Sequence, residues 1–230
     1  MRSANASIRS VERLQRALTL PLLRVLGQTV AMAEVQATTA FAALGIADHL
    51  ENSPRTAEEL AAAVGGDPDK VSRLLEFLAT RGIVRRRNGQ FALTASSDLL
   101  RRGHPDSVRD WVLFQGSAWQ WGAWAHLAEG VSSGATPFEL AHGRSYFDHL
   151  TADEAAGTQF DAAMRSTSRL QGQLLARALD LHGVGTLCDV GGGTGSVLAA
   201  LLEDVPDLTG ALFDLPAVCD RAPIVLEEAG

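Results

Sequence analysis

Leu187-Cys188-Asp189-Val190-Gly191-Gly192-Gly193-Thr194-Gly195-Ser196-Val197-Leu198, near the end of a chain of 230 residues, is the stretch whose reading decides the fold. It reads as a buried strand, a glycine turn and the first turn of a helix. Glycines at 191, 193 and 195 permit positive φ and carry no Cβ, so a ligand can lie directly on the backbone. The helix is expected to begin near Ser196 or Val197, with its free N–H groups and positive dipole end facing the same crevice. Open α/β sheets place their ligands in such a crevice, beyond the carboxyl end of a parallel strand.

The dinucleotide fingerprint G-x-G-x-x-G is not met. Counted from Gly191 its last position is Ser196, and counted from Gly193 it is Leu198. The spacing is G-x-G-x-G behind Asp189, and no Lys or Arg occurs between Cys188 and Asp220. A phosphate-rich ligand would therefore find no cationic side chain nearby in sequence. A second apolar run, Thr209-Gly210-Ala211-Leu212-Phe213, ends in Asp214. An acid at the tip of a second strand suits a ribose diol. Two acids, glycines and no cation suit a positively charged nucleoside such as the sulfonium S-adenosylmethionine (SAM). Any other nucleotide-binding α/β turn is the alternative.

Leu187 to Ser196, followed by Pro206-Asp207-Leu208-x-Gly210-x-x-Phe213-Asp214-Leu215-Pro216, resembles the SAM site of the dimeric small-molecule O-methyltransferases of plant phenolic and bacterial polyketide or phenazine pathways. The resemblance implies SAM as cofactor, bound by Asp189, Gly191, Gly193, Asp214 and Leu215. It also implies a homodimer formed through the N-terminal region and a small aromatic, hydroxyl-bearing acceptor from secondary metabolism. Some bacterial relatives keep this site but perform hydroxylation or decarboxylation.

Phe160, Met164 and Ser168 recur at i, i+4 and i+8 and share one helix face. On residues alone that stripe is core. The family pattern F-x-x-x-M-x-x-x-S falls on the same positions, where Phe and Met pack on the acceptor and Ser lies by the SAM carboxylate. All four tryptophans fall between Trp111 and Trp124. Their indoles offer stacking faces for a flat acceptor, Trp119 among them, or they are ordinary core.

Hydrophobic residues make up 46% of the chain and mean hydropathy is near zero at +0.05, which fits a soluble globular protein. No apolar run approaches the ~18 residues of a membrane span, and Arg2, Arg9, Glu12, Arg13 and Arg16 break up any signal-peptide core. The net charge of −7 argues against general nucleic-acid affinity. Cys188 and Cys219 read as small buried residues in a reducing cytoplasm.

Three regions are expected: a helical, winged-helix dimerisation domain over 1–100, a helical linker and substrate-pocket segment over 101–181, and a partial Rossmann-like α/β domain over 182–230. Val11, Leu14, Leu18, Leu22 and Val25 keep helical spacing, with Pro21 expected to break or kink the run. A second helix, Thr29 to Leu44, has small residues at Ala33, Ala37 and Ala40 and forms either a dimer seam or an intramolecular bundle. Thr56-x-x-Glu59 is a capping box, and Asp67-Pro68 opens the next helix. Ile83–Arg87, Asn88-Gly89 and Gln90–Thr94 read as a hairpin with a primed turn. Arg85, Arg86 and Arg87 on that wing bind phosphates or are a solvated, charge-protected edge; no DNA binding is expected. Thr136 to Gly143 reads as a loop. Thr151-x-x-Glu154 is expected to open a long helix to about Leu181, ended by His182-Gly183.

A last helix is expected over Ala217–Ala229. A fold of this kind needs further strands after Asp214, so the chain reads as the N-terminal portion of a family member. The adenine-binding Asp and the catalytic His segment have no counterpart here, and none of His49, His104, His126, His142, His149 and His182 has a spacing that assigns it as a base. No catalytic or metal-ligating residue is assigned. Readings from other classes are a non-catalytic dimerisation or scaffold subunit and a winged-helix regulator that responds to a small molecule.

Overall fold

A computed structural model describes residues 20–205, 207–220 and 222–223. The expected helical residues Val11, Leu14 and Leu18 lie outside these, as do Pro206 and the turns expected beyond residue 223.

Helix α1 spans Pro21–Ala43. Pro21 does not break it. It occupies the first turn, where a missing N–H costs nothing because that donor has no partner inside the helix. The helix therefore starts at Pro21 and not at Thr29. Its last turn buries Phe41 and Ala42, while Leu22, Leu23, Val25, Leu26 and Val30 are exposed.

Gly45, at φ +67°, turns the chain into α2 (Ile46–His49). Helix α3 (Ala57–Val64) opens on the expected capping box: Glu59 N–H donates to Thr56 Oγ1 at 3.3 Å, and Thr56 N–H donates to Glu59 Oε2 at 2.8 Å. Asp67 caps α4 (Pro68–Thr80), accepting from Lys70 N–H at 2.9 Å. Strands β1 (Val84–Arg87) and β2 (Gln90–Leu93) pair antiparallel across Asn88 and Gly89, whose φ values of 52° and 79° are those of a primed turn. Arg55 bridges to Phe91 through two backbone hydrogen bonds of 3.0 and 2.7 Å, extending the hairpin on the β2 side. Phe41, Ile46, Leu60, Val71, Leu75, Leu78, Val84 and Phe91 form one buried cluster between these elements.

After α5 (Ala95–Asp98) come α6 (Arg109–Gln115), α7 (Ala118–Ala125), α8 (Leu127–Ser133), α9 (Pro137–His142), α10 (Tyr146–Ala152) and α11 (Glu154–Ala178). Three expectations fail here. The supposed loop over 136–143 contains α9, started by Thr136, which accepts from Glu139 N–H at 3.2 Å, and by Pro137 in its first turn. The Thr151/Glu154 box does not form. Thr151 Oγ1 donates to Phe147 O within α10, and Asp153 caps α11 by accepting from Ala156 N–H at 3.1 Å. Helix α11 also stops at Ala178, because Leu179 is extended and Leu181 O is used in a turn closed by Val184 N–H.

The last described unit is β3 (Thr186–Val190), α12 (Ser196–Asp204), β4 (Thr209–Phe213) and α13 (Pro216–Cys219). β3 and β4 are parallel, in register from Thr186↔Thr209 to Val190↔Phe213. Leu198 and Leu202 of α12 close over Gly210, where a Cβ would come within 3.1 and 2.9 Å of them. On the other face Cys188, Val190 and Phe213 are exposed. Cys188 is thus not a buried residue, because strand alternation puts it on the face α12 does not cover, and Cys219 is only partly buried.

Candidate functional site

The parallel pairing brings the ends of β3 and β4 side by side, so the glycine turn and Asp214 meet. Gly191, Gly193 and Gly195 adopt φ values of +75°, +61° and +85°, as the sequence predicts. Above Gly191 and Gly193 the space is open, with no atom within 4 Å of where a Cβ would stand. Gly192 differs. Its φ is not positive, yet a Cβ there would lie 2.6 Å from the Asp189 carboxyl and from Leu212 Cδ1. The turn is laid directly on Asp189, and sequence reading did not single out Gly192 because its neighbour Leu212 belongs to another strand.

Two hydrogen bonds tie the turn to the end of β4: Gly191 N–H donates to Phe213 O at 2.7 Å and Gly193 N–H to Asp214 Oδ2 at 2.8 Å. The other oxygen of that carboxylate, Asp214 Oδ1, accepts from Leu215 N–H at 2.7 Å. The Leu215 side chain is exposed. In contrast, Asp189 Oδ2 and Ser196 Oγ are buried and hydrogen-bond to no protein atom. Buried polar atoms are normally paired, so two orphans at one turn mark a place for ligand atoms. Burial, and then the charge of Asp214, push the Asp189 carboxyl above its usual value. A positively charged nucleoside fits this donor set: open glycine backbone, two carboxylates and an unpaired acceptor.

A second group of expected residues gathers on α6 to α11. The Trp119 ring lies 5.5 Å from Phe114, 5.9 Å from Tyr146 and 5.5 Å from His149. Phe160 lies 5.8 Å from the same Phe114 and 5.9 Å from the same Tyr146. Trp119 and Phe160 therefore belong to one aromatic cluster, although 40 residues of chain separate Trp119 from its hydrogen-bond partner Gln159. Gln159 accepts from Trp119 Nε1–H at 3.0 Å and donates to Leu113 O at 3.2 Å, which fixes the indole beside Phe160. Burial pushes the Tyr146 phenol up to about 12, against the opposing effect of its hydrogen bond with Gln120. The other tryptophans, Trp111, Trp121 and Trp124, line a groove of about 700 Å³ with Met32 and Val35 of α1, and Trp111 also touches the cluster through Phe114 at 5.8 Å.

Met164 and Ser168 follow Phe160 along α11, with Ser168 Oγ donating to Met164 O at 2.7 Å. One turn further on is Gly172, where a Cβ would stand 2.5 Å from Ala200 Cβ and 3.1 Å from Val197 O. The stripe Phe160–Met164–Ser168–Gly172 thus runs from the aromatic cluster to the helix that the glycine turn starts. Among the histidines, His142 Nε2 meets Trp119 O at 2.9 Å, His149 stands in the aromatic cluster, His104 accepts from Asp106 N–H and His126 pairs with Glu129.

Comparison with known proteins gives two domain matches. Residues 28–103 match the O-methyltransferase dimerisation domain, and residues 124–230 match the O-methyltransferase domain. The chain is 35% identical to a phenazine O-methyltransferase of Lysobacter antibioticus over 94% of its own length and 63% of the relative's. It is 36% identical to an 8-amino-8-demethylriboflavin N,N-dimethyltransferase of Streptomyces davaonensis, over 80% of this chain and 54% of that protein. Among solved structures, CalO1, a methyltransferase in calicheamicin biosynthesis in its SAH-bound form, superposes with a TM-score of 0.78 at 34% identity, covering 91% of this chain and 61% of CalO1. The chain therefore spans less than two thirds of the length of these proteins.

Proposed function

The chain belongs to the O-methyltransferase family, with that family's dimerisation domain over 28–103 and methyltransferase domain over 124–230, and from this premise we propose that it serves a SAM-dependent O-methyltransferase acting on a small aromatic hydroxyl compound. The observation that carries the proposal is the glycine turn itself: open backbone at Gly191 and Gly193, Asp214 at the tip of β4, and the unpaired Asp189 Oδ2.

SAM, when bound, supplies an electrophilic methyl group on a sulfonium. Gly191 and Gly193 let the cofactor lie on the backbone, Asp214 accepts from ribose hydroxyls, and Asp189 gives the positive charge an opposite one. Ser168 and Leu215 complete the contacts that the family resemblance implies. Phe160, Met164 and Trp119 hold a flat acceptor, so that its oxygen is oriented and water is kept away. The acceptor oxygen must also lose a proton as it reacts, and no residue of this chain is assigned to take it. A nitrogen acceptor is the second reading, favoured by the 36% identity to an N,N-dimethyltransferase.

In this proposal α3, α4 and the β1–β2 hairpin, with the Arg55–Phe91 bridge, form a winged helix that serves dimerisation. The exposed apolar residues of α1 make the two-fold contact, so the protein is a homodimer. The wing serves no nucleic acid; Arg86 is already paired with Glu76 at 2.9 Å. The division is 1–100, 101–181 and 182–230, the last being part of a Rossmann-like domain, and the site of action is the cytoplasm. Among the described residues no helix is long and apolar enough to cross a membrane.

Calorimetric titration with S-adenosylhomocysteine tests the cofactor assignment. Asp214→Ala is expected to weaken binding about ten- to a hundredfold, the worth of a charge-assisted hydrogen bond, and Gly191→Val to abolish it. Binding that is equally tight without Asp214 would remove the assignment.

A further inference from the structure

We infer that Asp214 works before any nucleoside arrives: its carboxylate is the tie that holds the glycine turn in its ligand-ready shape, which makes it a positioning residue for Gly193 as well as a partner for ribose. This rests on the reading of the turn as a nucleoside site and deepens it.

Gly192 is seated on Asp189 and Leu212 and Thr194 is buried, but at Gly193 the turn has little else to hold it. Gly193 has no side chain to pack, and no atom stands within 4 Å of its missing Cβ. Glycine also has the most conformational freedom to lose on ordering. The Gly191 amide is anchored to Phe213 O before this point, and the Gly195 amide bonds only to Gly192 O inside the turn itself. Between them the Gly193 amide reaches out to Asp214 Oδ2 at 2.8 Å. The other oxygen of the same carboxylate takes Leu215 N–H at 2.7 Å, so Asp214 clasps the turn on one side and the chain leaving β4 on the other. Such bonds to an ionised acceptor are roughly twice as strong as neutral ones.

A carboxylate offers about four acceptor sites. With one N–H on each oxygen, a site on each remains, enough for a vicinal diol without releasing the backbone. The turn then needs no rearrangement on binding, and preorganisation of this kind lowers the cost of association. The two acids of the site thus divide the work: Asp214 is engaged with backbone in the free protein, while Asp189 Oδ2 is left unpaired.

Amide hydrogen exchange on the ligand-free protein tests the tie directly. In Asp214→Ala the Gly193 and Leu215 amides should exchange about ten- to a hundredfold faster, while the Gly191 amide and the β3–β4 ladder stay protected. Asp214→Asn, which keeps the shape and one acceptor, should fall between; it also serves if the alanine variant folds poorly. Unchanged exchange at Gly193 in both variants overturns the inference. A second arm separates positioning from ribose contact. If Asp214 only met the ribose, the 2′,3′-dideoxy analogue of S-adenosylhomocysteine would bind wild type and Asp214→Ala alike; the tie requires the variant to bind it at least several-fold more weakly. Should wild type bind neither compound, the nucleoside reading falls, and the exchange arm still decides whether Asp214 holds the turn.

Discussion

Gly172 of α11 stands against Ala200 of α12 so closely that a Cβ on Gly172 would come within 2.5 Å of the Ala200 methyl. Two helices meet there with only the Ala200 methyl between them, and that contact sets where α11 lies relative to the glycine turn.

Gly172→Ala opposes two effects. Helix propensity favours alanine by about 1 kcal/mol, whereas overpacking costs about 1–3 kcal/mol. The contact distance makes the second larger, so urea denaturation should show a net loss. Adding Ala200→Gly should return part of it, since the pair then exchanges which helix carries the methyl group.

Gly191 and Gly192 should fail for different reasons. Gly191→Ala meets open space at a φ of +75°, so its cost is the left-handed backbone, about 1–2 kcal/mol of stability. Gly192→Ala drives a methyl into the Asp189 carboxyl and Leu212, and should displace the turn and remove S-adenosylhomocysteine binding. Denaturation and calorimetry on both variants separate strain from collision. Equal behaviour of the two would count against this account.

Asp189 gives a pH dependence whose sign can be worked out. Its carboxyl is raised in the folded protein by burial and by Asp214, so the folded state holds the proton more tightly than the unfolded chain, where Asp titrates near about 3.9. Ionisation therefore lowers stability at neutral pH, and the penalty disappears as pH falls through the folded value towards the unfolded one. Asp189→Asn should raise the urea midpoint at pH 7, with the gain fading through that acid range. A gain that persists below the unfolded value would point to packing instead.

Gln159→Leu should strip the Trp119 indole N–H and the Leu113 carbonyl of their shared partner. The expected loss is about 1–3 kcal/mol, with a change in tryptophan fluorescence that Gln159→Glu, which can still accept from the indole, reproduces only in part.

The exposed apolar residues of α1 predict association. Wild type should sediment as a dimer at micromolar concentration, and Val30→Glu with Val35→Glu should shift it to monomer, because a buried unpaired carboxylate is costly. A wild-type monomer would end the dimer proposal.

What could be read from sequence was local. The acid before the glycines, the caps at Thr56 and Asp67 and the Asn88-Gly89 turn each depend on neighbours within a few residues, and each matches the structure. Thr136-Pro137 carries an equally local start signal, but the helix it opens is only 6 residues long, too short for an apolar periodicity to mark it. Thr151 and Asp153 competed as caps, and the geometry of α10 decided for Asp153. Gly172, Gly192 and Gln159 were illegible for another reason: what gives each its role is Ala200, Leu212 or Trp119, contacts that exist only once the chain has folded.

The stripe on α11 also has a phase. From Phe160 to Gly172 the helix advances by 12 residues, roughly 18 Å at 1.5 Å each. One end is locked by the glycine–alanine contact, so the stretch between acts as a calibrated spacer between the aromatic cluster and the helix that follows the glycine turn. Exchanging side chains at its near end alters what is held there and leaves the span untouched. Inserting or deleting a single residue between 161 and 171 would instead swing one end about 100° around the axis relative to the other. Substitution is thereby the change this segment can absorb, whereas a change in its length would break the phase between its two ends.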